Sequence, residues 1–333
     1  MSHPSIFEEK FMKAIIYQKY GSPDVLELKD VEKPIPSDDE VLVKVHATAA
    51  NPLDWHLLRG KPFLVRLMGF GLLKPKNPML GADIAGRIEA VGKNIIQFKS
   101  GDEVFGTARG GFAEYVCARE KSLALKPHNI SFEEAASAPV AAFTALQGLR
   151  DTGQIKSGQK VLINGASGGV GTFAVQMAKS FGAVVTGVCS TRNLDMVRSI
   201  GADHVIDYTQ ADFTKNGQRY DLIFDVAANR SVLDYKRALS PGGKCVTAGF
   251  STLFHMFQEV FLGFLVSKLG SRKITGMGMA RPNKNDLVII KELFESGQVR
   301  SVIDRRYPLS ETAEAIRYLE QGHARGKVVI TIG

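Results

Sequence analysis

A glycine-rich turn near the middle of the chain constrains the fold more than any other segment. Val161–Asn164 is a short apolar run, and Gly165, Gly168 and Gly171 follow it before a helical pattern begins. Glycines permit a sharp strand-to-helix turn and a close approach to a pyrophosphate, which the helix N-terminus stabilises. No Lys-Ser/Thr pair follows, which excludes a P-loop. The segment therefore predicts dinucleotide binding by Gly165, Ser167, Gly168, Gly169, Val170 and Gly171.

The segments on either side of this turn predict two kinds of domain within an α/β protein. From residue 131, short β-branched runs alternate with helical patterns, as expected for a parallel sheet with crossover helices. Earlier in the chain, β-rich runs separated by Pro and Gly are typical of an antiparallel, barrel-like domain. Ser131 and Glu134 form a capping-box pattern, which predicts one long helix over 131–149. Strands are predicted at 13–17, 25–29, 41–47, 84–91, 113–118, 160–164, 184–188, 204–206, 222–225, 244–248, 302–307 and 327–331.

The end of the second strand in the alternating region indicates which dinucleotide binds. NAD sites place Asp or Glu there to accept a hydrogen bond from the ribose 2′-hydroxyl. This strand instead runs into Ser190, Thr191 and Arg192, with no acidic residue before Asp195. Hydroxyl and guanidinium groups can donate to a 2′-phosphate, which a carboxylate would repel, and Tyr208 adds a further hydroxyl after the third strand. The pattern predicts NADPH, the alternative for Arg192 being a solvated position at a helix start.

Composition narrows the class of protein. The chain has 333 residues, 44% of them hydrophobic and 23% charged, which is typical of a globular protein of two domains. Its three cysteines have no C-x-x-C spacing, which favours a reducing cytoplasm over a disulfide framework. The net charge of +8 is dispersed and carries no nucleic-acid-binding motif. The apolar stretch 250–269 is interrupted by polar residues, so it predicts a buried or interface helix and no membrane insertion.

Further motifs occur in an order that is typical of one enzyme family. They are N-P-L-D at 51–54, P-M-L-G-A-D-I-A-G at 78–86, G-D-E-V-F-G at 101–106, G-G-F-A-E-Y at 110–115 and T-A at 144–145. Together with the glycine-rich turn they resemble the zinc-free quinone oxidoreductases of the medium-chain dehydrogenase/reductase superfamily. The resemblance implies a GroES-like β-barrel catalytic domain at 1–134 and 279–333, and a Rossmann doubly wound parallel-sheet domain at 135–278 that binds NADPH. It also implies a homodimer formed by edge-strand pairing.

The same resemblance indicates that this chain has no metal site. Zinc alcohol dehydrogenases place a Cys, a His-Glu pair and a further ligand around catalytic zinc. The matching places here hold Asn51, Ala82-Asp83 and Val140. Asn, Ala and Val supply neither the thiolate nor the imidazole that zinc prefers. We therefore expect chemistry without zinc.

The expected chemistry follows from this absence of a Lewis acid. Quinones and α,β-unsaturated carbonyl compounds accept a hydride into a delocalised system, so they need less activation than a simple carbonyl. We expect NADPH-dependent hydride transfer to a small electron-poor molecule of this kind. By resemblance, Asn51 and Asp54 lie near the nicotinamide and Thr144 lines the cofactor cleft. Asn51 either bonds substrate or cofactor or makes only a structural loop contact, and Asp54 is a local acceptor.

Four further residues are candidates, and two other functions stay open. Gly249 and Phe250 close a strand beside the expected nicotinamide site, where Phe250 lines either an apolar substrate pocket or ordinary core. Arg325 and Lys327 either reach cofactor phosphates or lie at the surface. One alternative function is an NADPH-binding sensor or structural protein with little turnover. The other, a membrane-associated quinone enzyme, depends only on the apolar stretch 250–269.

Overall fold

The computed structural model describes residues 10–63, 65–248 and 270–333, and the chain forms two compact units. The N-terminal unit contains the chain up to Val140 together with Pro282–Lys291 and Ile303–Gly333. The central unit contains Ala141–Arg281 and Glu292–Val302. The domain prediction had its divisions at 134/135 and 278/279, whereas the units divide later, and Glu292–Val302 returns to the central unit.

Fifteen strands and eight α-helices are described. The strands are β1 (Phe11–Ile16), β2 (Glu27–Glu32), β3 (Glu40–Ala50), β4 (Asp83–Val91), β5 (Glu103–Thr107), β6 (Tyr115–Arg119), β7 (Leu123–Leu125), β8 (Lys160–Asn164), β9 (Val184–Cys189), β10 (His204–Asp207), β11 (Tyr220–Asp225), β12 (Leu239–Thr247), β13 (Lys273–Gly276), β14 (Ile303–Pro308) and β15 (Lys327–Thr331). The helices are α1 (Pro52–Arg59), α2 (Phe132–Ala136), α3 (Pro139–Gln147), α4 (Gly169–Ser180), α5 (Leu194–Ser199), α6 (Val232–Ala238), α7 (Lys284–Glu295) and α8 (Thr312–Glu320).

The N-terminal unit is built around the long strand β3. The main sheet has the order β14-β15-β3-β4-β5-β7, and β6 also pairs with β3. Val41, Val43 and Val45 of β3 alternate into the buried core, as expected for a strand covered on that face. Because β4 and β15 both run antiparallel to β3, the register sets Asp83 opposite Ala49 and Val328 opposite Ala50. The end of β3 therefore lies beside the starts of β4 and β15.

Six described strands of the central unit form a parallel sheet with the order β10-β9-β8-β11-β12-β13. The strand order runs outward from β8 in both directions, with β9 and β10 on one side and β11, β12 and β13 on the other. This reversal between β8 and β11 confirms the predicted doubly wound sheet. The five predicted strands of this region fall on β8 to β12, although β12 begins at Leu239, well before the predicted residue 244. The sixth strand, β13, was not predicted.

Two predictions of secondary structure were wrong for identifiable reasons. The helix over 131–149 is divided into α2 and α3, because Pro139 has no backbone N–H to continue α2 and instead begins α3. The capping box that begins α2 is present, with Ser131 Oγ accepting from Glu134 N at 3.1 Å. The strand over 25–29 starts only at Glu27, since Pro23–Val25 forms a 3₁₀ turn.

No helix in the described part of the chain is long and apolar enough to cross a membrane. The apolar stretch 250–269, with its predicted helix, lies outside the described residues, as do Gly249 and Phe250.

Candidate functional site

The glycine-rich turn joins β8 to α4 and depends on its glycines in two different ways. Gly165 adopts a φ of 81°, a left-handed conformation that a side chain disfavours. Gly171 lies so close to the turn that an added Cβ would be 2.0 Å from the carbonyl oxygen of Gly165. The turn therefore requires glycine at both positions for its own backbone, before any ligand is considered.

Gly168 differs from these two glycines because the position that a side chain would occupy is almost free of neighbouring atoms. It is the N-cap of α4 with a φ of −82°, and a Cβ here would meet only the Gly165 oxygen, at 3.5 Å. The N–H groups of the first turn of α4 have no partner earlier in the helix, so they can donate to an anion placed there. Ser167, Gly168, Gly169 and Val170 are half-buried, which leaves this face accessible. The geometry fits a pyrophosphate held by backbone alone.

The ends of β9 and β10 form the second part of this site. Asn193, which the sequence analysis missed, is 4% exposed and donates from Nδ2 to Ser167 Oγ and Ser190 Oγ, both at 3.1 Å. Its Oδ1 has no partner among the described residues. Asn193 thus connects the glycine-rich turn to the residues after β9. Its side chain marks the point where the two loops meet.

An acidic side chain lies where the sequence analysis expected none. Asp207 ends β10, directly opposite Cys189 in the parallel register, and its Oδ2 accepts from Thr191 Oγ1 at 2.6 Å. Its Oδ1 accepts from the N–H and the hydroxyl of Thr209 at 2.9 and 2.8 Å. Asp195, the acid noted in the sequence, instead pairs with Arg198 at 2.9 Å. Arg192 and Tyr208 are exposed nearby in the chain.

A buried carboxylate supports the loop after β11, next to the glycine-rich turn. Asp225 has no exposed surface, and its Oδ2 accepts from Asn164 Nδ2 at 2.9 Å and from the Tyr235 hydroxyl at 2.8 Å. Its Oδ1 accepts from the N–H groups of Ala227 and Ala228 at 2.9 and 2.6 Å. These bonds hold Ala228 at a φ of 45°, which costs backbone energy for a residue other than glycine. Burial raises the pKa of Asp225 despite these donors. We call Asn164, Asp225 and Tyr235 the central cluster.

In the N-terminal unit, Asn51 and Asp54 begin α1. Pro52 takes the first helical position, and Asp54 Oδ2 accepts from the N–H of Asn51 at 2.8 Å. Asp54 Oδ1 accepts from Gly81 N at 3.1 Å, which connects the helix to the segment before β4. Asp54 is 3% exposed, and burial raises its pKa to about 7. Its contacts are those of the local acceptor that was expected.

Asn51 joins a charged group that the strand register assembles. Its Oδ1 accepts from Lys327 Nζ at 2.6 Å, while its Nδ2 donates to Asp83 Oδ2 at 2.9 Å and to Ala49 O at 3.3 Å. Lys327 Nζ also lies 3.1 Å from Asp83 Oδ2, and Asp83 Oδ1 accepts from Val140 N at 2.8 Å. Asp83 is 0% exposed and Lys327 is 3% exposed. We call Asn51, Asp54, Asp83 and Lys327 the N-terminal cluster.

The cluster gives Lys327 a different environment from the one expected. From the sequence, Lys327 was expected either to reach a cofactor phosphate or to lie at the surface, whereas its ammonium is buried against Asn51 and Asp83. Arg325 is exposed, and its backbone N–H donates to Asp304 Oδ2 at 2.8 Å. Thr144 is half-buried on α3 in the central unit. Asn51 and Asp54 come together in the N-terminal unit, and the predicted phosphate-binding residues around Ser167 and Ser190 come together in the central unit.

The donor set of the N-terminal cluster does not fit zinc. The places that match zinc ligands are occupied by an amide, a methyl group and an isopropyl group, at Asn51, Ala82 and Val140. The oxygens of Asn51 and Asp83 accept from the Lys327 ammonium, which already supplies a positive charge at this position. Among the described residues, no group of three or more His, Cys, Asp or Glu side chains is arranged to hold a metal ion. Of the groups at the matching places, only the Asp83 carboxylate is of a type that binds zinc, and its Oδ2 accepts from Lys327 and Asn51.

Comparisons with known proteins agree with both units. Residues 37–128 match the family model described as alcohol dehydrogenase GroES-like domain, and residues 200–330 match the one described as zinc-binding dehydrogenase. The chain is 34% identical to a chloroplast envelope quinone oxidoreductase homolog of Arabidopsis thaliana, over 96% of this chain and 98% of that protein. It is 35% identical to an NADPH-dependent alkenal/one oxidoreductase, chloroplastic, of the same plant, over 96% and 80%. The solved structure of the quinone oxidoreductase from Coxiella burnetii superposes with a TM-score of 0.86 at 31% identity, covering 97% of this chain and 100% of that one.

Proposed function

The chain belongs to the medium-chain dehydrogenase/reductase superfamily, among its quinone oxidoreductases, and on that basis we propose a zinc-independent, NADPH-dependent reduction of quinones or α,β-unsaturated carbonyl compounds. Membership makes the chain an oxidoreductase that uses a nicotinamide cofactor. The proposal adds the acceptor class, the choice of NADPH and the absence of zinc.

The observation that carries the proposal is the Lys327 ammonium in the N-terminal cluster. A buried cation bonded to Asn51 and Asp83 uses the oxygens that a metal would need. A second positive charge beside it would raise the electrostatic energy of a site that already excludes water. The name of the family model that matches residues 200–330 mentions zinc, but the residue types at the matching positions do not favour it.

The absence of a Lewis acid favours acceptors that are already electron-poor. Hydride addition to a saturated ketone creates a localised alkoxide, which zinc stabilises in the alcohol dehydrogenases. Addition to a quinone or an enone creates a delocalised hydroquinone anion or enolate, which a few hydrogen bonds or water can stabilise before protonation. The names of two relatives, a quinone oxidoreductase homolog and an alkenal/one oxidoreductase, refer to these two classes.

The residues that would hold the cofactor lie in the central unit. Backbone N–H groups of the first turn of α4, which begins just after Gly168, would bind the pyrophosphate, and Gly165 and Gly171 maintain the turn. Ser190, Thr191, Arg192 and Tyr208 would surround the 2′-phosphate. NADPH, when bound, supplies a hydride from C4 of its nicotinamide. Asn193 connects the two segments that would hold the cofactor, because it donates to Ser167 in the glycine-rich turn and to Ser190 after β9.

The N-terminal cluster fixes the loop that contains Asn51 and Asp54. Both Nδ2 protons of Asn51 are used, on Asp83 and Ala49, and its Oδ1 accepts from Lys327. This favours the structural loop contact over donation to a substrate oxygen. Asp54 fixes the same loop through the N–H groups of Asn51 and Gly81. We propose that Asn51 and Asp54 position substrate and nicotinamide indirectly, by fixing this loop, and the family resemblance supports this assignment.

A substrate screen tests the acceptor class. The purified chain, without an affinity tag, is given NADPH with a panel of quinones, a panel of enones and a panel of saturated ketones, and the products are identified. We expect NADPH oxidation with the first two panels and none with the third. Stoichiometric zinc by elemental analysis, with activity lost to a chelator, would overturn the zinc-independent part. Tight NADPH binding without turnover on any panel would favour a sensor.

A variant of the glycine-rich turn separates cofactor binding from folding. In Gly168→Ala the new methyl meets only the Gly165 oxygen at 3.5 Å, so the fold should be retained. The methyl would occupy the space in front of the helix N-terminus, and calorimetry should show weaker binding of NADPH and NADH alike. Unchanged affinity for both would contradict the assignment of this turn to the pyrophosphate.

Two further parts of the proposal concern assembly and location. Among the described strands, β13 lies at one edge of the central sheet, and a second copy pairing with it would give the homodimer, which light scattering on the purified chain can test. The three cysteines carry free thiols, as suits the reducing cytoplasm. Because some relatives are named as chloroplastic, the location of this chain has to be measured directly, by microscopy of the tagged chain.

A further inference from the structure

The residues after β9 were expected to bind a 2′-phosphate because that strand carries no acid at its end. The neighbouring strand supplies one. Since β9 and β10 are parallel and in register at Cys189 and Asp207, their carboxyl ends reach the same edge of the sheet. In a doubly wound sheet this edge carries the adenosine ribose. Asp207 therefore lies next to the residues after β9, where an NAD site has its acid, although it comes from the neighbouring strand.

The hydrogen bonds of Asp207 involve the very groups that would serve a phosphate. Thr191 Oγ1 donates its single hydroxyl proton to Asp207 Oδ2 at 2.6 Å. The Thr209 hydroxyl and N–H donate to Asp207 Oδ1. A threonine hydroxyl whose proton is used in this way presents only lone pairs to a ligand. Thr191 can then accept from a ribose hydroxyl but cannot donate to a phosphate oxygen.

The charge of Asp207 acts in the same direction. Hydrogen bonds, first of all the one from Thr191, lower the pKa of Asp207, so it is ionised at neutral pH. A 2′-phosphate carries nearly two negative charges. Against this repulsion, the exposed Arg192 and the hydroxyls of Ser190 and Tyr208 provide attraction. The site combines features of NADPH binding with one feature of NADH binding.

From this arrangement we propose that Asp207 sets the cofactor preference: it weakens NADPH binding and leaves NADH as a usable second cofactor. The proposal rests on the proposed function, because it assumes that the dinucleotide binds at the glycine-rich turn. Asp207 acts partly through Thr191, whose hydroxyl it holds, and partly through its own charge. Neutralising it should tighten NADPH and change NADH little.

The size of the effect follows from Coulomb's law. If a bound 2′-phosphate lies within about 5 Å of the Asp207 carboxylate, with water around them, their repulsion would change affinity about tenfold. Salt screens part of this, so the effect should shrink as ionic strength rises. An effect on NADH is not expected from charge, because its 2′-hydroxyl is neutral.

The test compares Asp207→Asn with Asp195→Asn. Both remove one negative charge from the same region, but Asp195 pairs with Arg198 and has a fully exposed side chain, so it controls for net charge. Calorimetry measures Kd for NADPH and NADH at low and high salt. We expect Asp207→Asn to tighten NADPH about tenfold at low salt, with NADH and the Asp195→Asn chain nearly unchanged. Asp207→Ser repeats the charge change if the first variant fails to fold.

Thr191→Val supplies a second, independent measurement. In the unaltered chain its hydroxyl proton is held by Asp207, so Thr191→Val should change Kd for NADPH less than about twofold. In the Asp207→Asn chain the hydroxyl can turn to the phosphate, so the same change should cost severalfold. A double-mutant cycle measures this coupling.

The outcomes separate this inference from the proposed function. Equal effects of Asp207→Asn and Asp195→Asn, or weaker NADPH binding in Asp207→Asn, would overturn the role of Asp207 while leaving dinucleotide binding intact. If no form of the chain binds either dinucleotide, the proposed function fails and this inference fails with it.

Discussion

The two units each bury a carboxylate beside the residues assigned to function, but they neutralise it differently. In the N-terminal cluster, Asp83 lies 3.1 Å from the ammonium of Lys327. In the central cluster, the donors described for Asp225 are neutral: Asn164, Tyr235 and two backbone N–H groups. The first carboxylate connects distant parts of the chain through one full charge. The second is stabilised by four neutral donors, so the loss of any one of them should lower the free energy of unfolding by less.

The largest expected effect comes from removing the single counter-charge. Lys327→Met leaves Asp83 buried and uncompensated, which should destabilise the N-terminal unit by about 3–5 kcal/mol. Adding Asp83→Asn removes the stranded charge and should restore a good part of the loss. Chemical denaturation, with hydrogen exchange of β3 and β15 to identify the unit, measures both. A loss below about 1 kcal/mol in the single variant would remove the basis for the contrast between the clusters.

The next effect concerns pH and Asp54 in the N-terminal cluster. Its pKa of about 7 in the folded chain lies above the ordinary value of 3.8, so the folded state holds the proton more tightly. Its contribution to stability is complete at acidic pH, falls as pH rises from about 4 to about 7, and is absent above that. The slope reaches at most about 1.4 kcal/mol per pH unit. Asp54→Asn should lack this component, so the stability difference between the two chains should change with pH across that window. A constant difference would contradict the raised pKa.

A smaller effect is expected in the central cluster. Asp225→Asn keeps one acceptor oxygen but replaces the other by a donor that faces Asn164 and Tyr235, which should cost about 1–3 kcal/mol. Because this change leaves no buried charge unpaired, the loss should be less than that of Lys327→Met, which leaves the Asp83 carboxylate without its counter-charge. Thermal unfolding of the two variants side by side ranks them. An equal or larger loss in Asp225→Asn would reverse the comparison.

The smallest effect should follow from losing one donor of the four. Tyr235→Phe removes the hydroxyl bond to Asp225 at 2.8 Å and little packing, so about 1 kcal/mol should be lost. The same change removes a bond that lowers the pKa of Asp225, so that pKa should rise further. Carboxyl chemical shifts followed by NMR titration would measure it. A fall in the pKa would show that Tyr235 is not a donor to this carboxylate.

The sequence predicted the backbone features of both units better than their side-chain partners. The turn at Gly165–Gly171 and the strands around it were recognisable because periodicity and glycine spacing are local signals. The break at Pro139 was also readable locally but was overruled by an alanine-rich helical pattern. Gly249 and Phe250 lie outside the described residues, so their expected place beside the nicotinamide stays a prediction.

Partners brought together by strand register could not be read from the sequence in this way. Asp83, Asn51 and Lys327 meet only because β4 and β15 pair with β3 at particular residues. Asp207 was not predicted because the sequence pattern of an NAD site has its acid at the end of β9 itself, whereas this acid lies on the neighbouring strand, at the end of β10. Asp225 carried one signal, a carboxylate closing an apolar strand, and it was not used.

The bond between Lys327 and Asp83 spans 244 positions of the chain, and this separation has a consequence for synthesis. A ribosome completes the glycine-rich turn and the six described strands of the central sheet before it reaches β15. Asp83 and Asn51 therefore lack their bonds to the Lys327 ammonium while the later part of the chain is synthesised. The N-terminal unit is thus synthesised first but is the last that can complete its sheet. Until β15 pairs with β3, that edge of β3 is exposed, and the nascent chain depends on protection from aggregation there.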